Sequence, residues 1–125
     1  MNGYLFYIKN ILNIFTNRVF IGWGRKRTGQ FACFLSVKFK SKFKLLEDGF
    51  IRSVGLGVEG AKLLSVVEDD FGIYYDATQP SQLEHILATS EFSTKIICEA
   101  RWCIDFIISN HICKYNNAPD ITTAQ

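Results

Sequence analysis

Apolar residues recur at helical spacing near the start of the chain, where Leu5, Ile8, Leu12 and Phe15 fall on one face of an amphipathic helix. Val19-Phe20-Ile21 then makes a short unbroken apolar run that stops at Gly22-Trp23-Gly24, the pattern of a buried strand breaking into a turn. Thr28 can cap a helix to about Lys40, with Phe31, Phe34, Leu35 and Val37 or Lys38 as its buried stripe. A second strand from Phe43 to Leu46 delivers Glu47-Asp48-Gly49 at its end. A third spans Leu63 to Glu68, and a fourth includes Ile73 to Tyr75. Pro80 and Ser81 start a helix through Leu83, Ile86 and Leu87 to about Thr89. Ser93 or Thr94 caps a longer one to about His111, in which Ile96, Ile97, Ala100, Ile104, Ile107 and Ile108 keep the helical period. Strands alternating with helices predict an α/β fold with a mostly parallel sheet flanked by helices.

In open sheets of that kind, ligands bind beyond the carboxyl ends of the strands. Two acid-rich blocks occupy such positions, Glu47-Asp48 after the second strand and Asp69-Asp70 after the third. Either pair could supply a general base for a hydroxyl acceptor, but neighbours on a strand point to opposite faces, so one member of each pair aims at the site. Asp48 and Asp70 are the candidates for the inward acids. Arg52 can donate in bidentate geometry to a phosphate or a sugar carboxylate, or instead pair structurally with Glu47 or Asp48. Asp69-Asp70 can equally serve as a turn and helix cap before Gly72. Tyr74, Tyr75 and Asp76 could stack on and hydrogen-bond a sugar, or the tyrosines could be core. Trp23 has the same two readings, and Arg25 and Lys26 beside it could meet a phosphate.

Composition narrows the classes. A chain of 125 residues, 48% hydrophobic and 21% charged, fits a globular domain and excludes disordered and fibrous classes. Its formal charge of +2 is too small for a nucleic-acid-binding balance. Locally, Lys38, Lys40, Lys42 and Lys44 alternate with Phe39, Ser41 and Phe43, which makes a solvated face or one turned to phosphates or lipid headgroups. The apolar start carries Lys9, Arg18 and several asparagines and is too short to span a bilayer, so a core, partner or membrane-surface helix is expected there. Cys33, Cys98, Cys103 and Cys113 lack metal-site spacing and are expected to be reduced, mostly buried thiols of a cytosolic protein. His85 and His111 are far apart, so no metal site is expected, and His111 with Cys113 reads as packing rather than as a nucleophile pair. Gly55, Gly57 and Gly60 have GxGxxG spacing, but no strand leads into them, so no dinucleotide cofactor is implied.

A set of segments in order carries a resemblance: Trp23-Gly24-Arg25-Lys26, the run Leu46 to Gly57 containing Glu47-Asp48-Gly49-Phe50-Ile51-Arg52-Ser53, Leu64-Ser65-Val66-Val67, Asp70 to Thr78 with Tyr74-Tyr75-Asp76-Ala77, Pro80 to Glu84, and Lys114-Tyr115-Asn116. Together they resemble the capsule polysaccharide biosynthesis and export protein family, over about Val19 to Pro119. The resemblance implies a Rossmann-like half of a GT-B-like glycosyltransferase module. It also implies a retaining β-Kdo transferase that moves Kdo from CMP-Kdo to a lysophosphatidylglycerol-linked acceptor. Such an enzyme would be cytoplasmic, peripheral at the inner membrane, and would work with the capsule export machinery. Trp23, Arg25, Lys26, Glu47, Arg52, Tyr74, Tyr75 and Asp76 would bind substrate.

Family members are several times longer and continue past Lys-Tyr-Asn into a second Rossmann-like half with the nucleotide-sugar site, and Arg27 stands where many have proline. The chain is therefore expected to be a truncated member, inactive alone. Its expected organisation is an amphipathic segment at 1–18, a partial α/β module at 19–115 and a polar tail at 116–125. The alternative is a non-enzymatic domain that binds a lipid surface or a partner subunit through the Tyr4 to Phe15 face and the Lys38 to Lys44 run.

Overall fold

In the computed structural model, residues 3–16 and 19–116 are described. Helix α1 (Gly3–Thr16) leads into strand β1 (Phe20–Trp23), helix α2 (Arg27–Phe39) and strand β2 (Phe43–Asp48). A single 3-10 turn (Gly57–Glu59), strand β3 (Val66–Asp69) and helices α3 (Gln82–Thr89) and α4 (Thr94–Ser109) follow. The three strands form one mixed sheet in the order β1-β2-β3, so the chain is an α/β protein with helices flanking its sheet. β1 and β2 pair in parallel, with Phe20 opposite Phe43 and Trp23 opposite Leu46.

The chain divides into two compact units, Met1–Glu47 with Val67–Ser90, and Asp48–Val66 with Glu91–Gln125. In the first, Phe20 and Ala32 are fully buried and Leu35 nearly so, with Ile14 and Phe31 packed against them. The stripe of α2 that faces inward is Thr28, Gly29, Ala32, Leu35 and Ser36, whereas Phe34 and Val37, expected there, are exposed. Close approach decides the rotation. A Cβ on Gly22 would strike the Thr28 carbonyl and one on Gly29 would strike the Gly24 carbonyl, so α2 lies on β1 through its smallest residues.

The placement of α1 is set by the edge of the sheet. β1 is an edge strand, and its outward backbone groups need partners. The buried Asn10 amide supplies two of them, donating to the Ile21 carbonyl and accepting the Ile21 N–H, both at 2.8 Å. Asn13 donates to the Val19 carbonyl at 2.8 Å, and Thr28 Oγ1 accepts the Trp23 N–H at 3.1 Å. Asn10 and Asn13 therefore point in, with Phe6. The apolar face drawn from Leu5, Ile8, Leu12 and Phe15 points out.

Other expectations shift in detail. The third strand is shorter, and Ile73 to Tyr75 are a turn rather than a strand, because the Asp69 carboxylate takes the N–H groups of Phe71 and Gly72 and bends the chain. α3 starts where expected, with Pro80 just outside it and Ser81 as its cap, whose Oγ accepts the Glu84 N–H at 3.2 Å while Glu84 accepts the Ser81 N–H at 2.8 Å. Ser93 caps α4 as expected, but the apolar residues of that helix are exposed, with Trp102 and Phe106 stacked 5.4 Å apart. The cysteines are thiols, but only Cys33 is half-buried, because Cys98 and Cys103 share the exposed α4 and Cys113 follows it. Arg18 and the tail beyond Asn116 lie outside the described residues.

Candidate functional site

The carboxyl ends of β1 and β2 bring Trp23 and Glu47 side by side. The half-buried Trp23 indole donates through Nε1 to Glu47 Oε1 at 3.2 Å. Glu47 Oε2 accepts the Tyr75 hydroxyl at 3.1 Å, and that hydroxyl accepts the Arg25 backbone N–H at 3.4 Å. Next to them, Arg25 Nη1 pairs with Asp76 Oδ1 at 3.0 Å. Lys26 stands with its ammonium 6.0 Å from the Trp23 ring. Tyr74 meets Tyr75 edge-on at 5.4 Å, and both rings are partly exposed rather than core, because the turn at 73–75 carries them out of the sheet.

Gly24 makes this cluster fit. It has φ +39, and a Cβ there would collide with the Glu47 carboxylate and the Tyr75 hydroxyl. Burial pushes the Tyr75 phenol above its ordinary value, assisted by the neighbouring Glu47 carboxylate, so it stays a hydrogen-bond donor. Asp76 is held below the usual carboxylate range, first by the Thr78 hydroxyl at 2.6 Å and backbone N–H at 3.1 Å, then by Arg25. The site is thus two acids, Glu47 and Asp76, three aromatic rings and two cations beside the start of α2, whose N-cap Lys26 makes no side-chain capping bond.

Within the second unit, Arg52 Nε meets Asp48 Oδ1 at 3.3 Å, so the structural pairing envisaged for Arg52 is the one formed. Its Nη1 also donates to Ser53 Oγ at 3.0 Å and to the Ala61 carbonyl at 3.3 Å, and a Cβ on Gly57 would strike the guanidinium. The Arg52 N–H donates to the Lys114 carbonyl at 2.8 Å, the Gly55 N–H to the Tyr115 carbonyl at 2.7 Å, and Asn116 Nδ2 to the Ser53 carbonyl at 3.4 Å. Two motifs about sixty residues apart in the chain, Arg52-Ser53-Val54-Gly55 and Lys114-Tyr115-Asn116, therefore meet.

Of the Asp69-Asp70 pair, Asp69 is the inward member. It is 1% exposed, its Oδ1 accepts from Phe71 and Gly72, both at 2.8 Å, and its Oδ2 accepts the Gln82 N–H at 3.0 Å. Asp70, expected to point inward, faces solvent because the ladder ends on its neighbour. Among the described residues, no group of three or more His, Cys, Asp or Glu is placed to hold a metal ion.

Residues 19–124 match the family described as capsule polysaccharide biosynthesis protein. The chain belongs to that family. The chain is 45% identical over 103 residues to the capsule polysaccharide modification protein LipA of Neisseria meningitidis serogroup A, a match that covers 82% of the chain and 15% of LipA. It is 36% identical over 110 residues to the lipopolysaccharide-processing protein LpsZ of Rhizobium meliloti, covering 86% of the chain and 24% of LpsZ. Among solved structures it resembles the β-Kdo 2,4 transferase of Thermosulfurimonas dismutans KpsC, with a TM-score of 0.73 and 38% identity over 83% of the chain and 33% of that protein. The β-Kdo 2,7 transferase of the same KpsC matches with a TM-score of 0.55 and 29% identity, over 90% and 34% respectively.

Sequence reasoning found the charged and aromatic members of the site in this family member but missed the glycines that seat them. Gly22 lies in β1, Gly24 in the turn after it and Gly29 in the first turn of α2, and that strand-to-helix context was the available signal.

Proposed function

We propose that the chain supplies part of the substrate cleft of a retaining β-Kdo transferase in capsule polysaccharide biosynthesis. The observation that carries this reading is the cluster of Trp23, Arg25, Glu47, Tyr75 and Asp76 at the carboxyl ends of a parallel strand pair, in a chain whose fold resembles a β-Kdo 2,4 transferase. Glu47 and Tyr75 would hydrogen-bond sugar hydroxyls, with Trp23 and Tyr74 as stacking faces. Arg25, Lys26 and the start of α2 would hold the phosphate of a lysophosphatidylglycerol-linked acceptor. Asp48 and Asp70 are the candidate catalytic acids, and Arg52 would orient Asp48 through the contact between them.

CMP-Kdo is the donor in this reading and no cofactor is required. The chain spans 33% of the KpsC transferase it resembles, so turnover is assigned to the larger assembly and not to these residues alone. The purified chain is expected to bind acceptor glycolipid, with Arg25→Gln weakening it about tenfold, and to release no CMP from CMP-Kdo. Failure to bind acceptor would sink the cleft reading, and CMP release by the chain alone would sink the division of labour.

A second reading, that the chain is an interaction domain at the cytoplasmic face of the inner membrane or against a partner subunit of the export machinery, is favoured by one observation. The outward face of α1 is aliphatic while its inward face holds the asparagines. Among the described residues no helix is long and apolar enough to cross a membrane, so such attachment would be peripheral.

A further inference from the structure

We infer that α1 and the cleft beside it form a docking site for a bilayer surface rich in anionic phospholipid. This deepens the membrane-surface reading and rests on it, and it is independent of Kdo transfer. α1 is amphipathic in the opposite sense to an ordinary surface helix. Its fully buried Asn10 serves the edge of β1, while Leu5, Ile8, Ile11, Leu12 and Phe15 are 54%, 54%, 49%, 61% and 85% exposed. They recur at three- and four-residue intervals and form one continuous stripe along 14 residues, a length of about 21 Å that lies along a bilayer rather than across it.

Beside this stripe is a cleft of about 800 Å³, lined by Lys9, Asn13, Val19, Ile21, Lys40, Ser41 and Lys42. Among the described residues that line it, three are lysines and none is an acid. Among the described residues none of those three ammonium groups has a salt-bridge partner. Lys9 belongs to both features, because it sits on α1 one turn from Leu5 and from Leu12. An aliphatic stripe bordered by cations complements a surface that is apolar below and anionic above, which is the boundary between acyl chains and phosphate headgroups. A second copy of the chain fits less well, since a stripe-to-stripe contact would bring two sets of lysines together. The site lies at the amino ends of β1 and β2, and α1 precedes the residues 19–124 that match the family. The stripe and Lys9 therefore lie outside the family match, while the cleft residues from Val19 to Lys42 lie within it.

The test is sedimentation of the full chain with vesicles of phosphatidylcholine alone and of phosphatidylcholine mixed equally with phosphatidylglycerol. Strong binding to the mixed vesicles, weak binding to the neutral ones and a loss of at least tenfold at high salt are expected. Each lysine near an anionic surface contributes about fivefold. The triple variant K9Q/K40Q/K42Q should therefore lose about a hundredfold toward the level of neutral vesicles, and I8S/L12S should weaken binding to both. All five positions are exposed and Asn10 is left in place, so far-ultraviolet circular dichroism should be unchanged. Equal binding to both vesicle types, no binding, or undiminished binding by the triple variant would overturn the inference. So would displacement from vesicles by millimolar inorganic phosphate, which would make the cleft a site for the free anion, or a stable dimer that excludes vesicles. Acceptor and CMP-Kdo measurements made without vesicles would report on the transferase reading separately.

Discussion

The two ends of the β1–β2 pair use charge in opposite ways. At the carboxyl end both acids of the cluster are held in pairs: Glu47 holds Trp23 and Tyr75, and Asp76 holds Arg25. At the amino end three lysines line a cleft without an acid, next to an aliphatic stripe turned outward. A satisfied cluster keeps its geometry and can present fixed groups to a small ligand, whereas a set of like charges gains most from meeting an extended anionic surface. In the two proposals above, substrate meets one end of the strands and a lipid surface the other. What holds each end is also different, since the first is seated by glycines and the second by asparagines.

Those two supports are where the comparison can be broken. Gly29→Ala forces a Cβ onto the Gly24 carbonyl, a backbone atom that cannot rotate away, and should cost about 3 kcal/mol or more in chemical denaturation with loss of the carboxyl-end cluster. Asn10→Leu strips both partners from the Ile21 peptide and should cost about 2–3 kcal/mol. The outward change Ile8→Ser, one turn away or less, should stay within about 0.5 kcal/mol. An equal response of the two would contradict the inverted orientation of α1.

Smaller effects sharpen the picture at the carboxyl end. Glu47→Gln replaces a carboxylate that accepts from Trp23 and Tyr75, and should destabilise by about 1 kcal/mol while leaving the vesicle behaviour of the amino end untouched. The Tyr75 phenol is raised in the folded chain, so its contribution is complete below about pH 10 and is lost as pH rises through the folded value. Ultraviolet titration should therefore find one late-ionising tyrosine that disappears in Tyr75→Phe. Asp76 is the opposite case: its carboxyl is depressed, so its contribution is present above about pH 4 and is lost as pH falls through the folded value. Because Arg25 and Thr78, which hold Asp76, are exposed, the effect should be small, visible as a slightly shallower acid limb in Asp76→Asn.

Much of the fold was legible because its signals are local. Ser81 with Glu84, and Ser93 with Ile96, are caps written within four residues, and both helices begin where those residues stand. The run Phe20-Ile21-Gly22-Trp23 and the run from Phe43 are apolar enough to be strands in any α/β arrangement. The inward stripe of α2 was misread because hydrophobicity favours Phe34 over Gly29, while the contact with β1 is decided by size. Ile73 to Tyr75 carry strand-forming residues, yet the Asp69 carboxylate captures the next two N–H groups and makes a turn. In the site, Trp23, Arg25, Glu47, Tyr75 and Asp76 were recognisable as chemistry-bearing types, but that they touch across intervals of up to fifty residues was not.

By itself the sequence determined the class of fold, the starts of α3 and α4, the family and the two acid-rich blocks, since propensity, capping and motif order depend on neighbours along the chain. Only the tertiary structure decided that Asp69 rather than Asp70 turns inward, that Asn10 and Asn13 complete the edge of β1, and that the apolar face of α1 looks outward. Those outcomes depend on which backbone groups are left without partners once the strands have paired, and that is a property of the assembled sheet rather than of any segment.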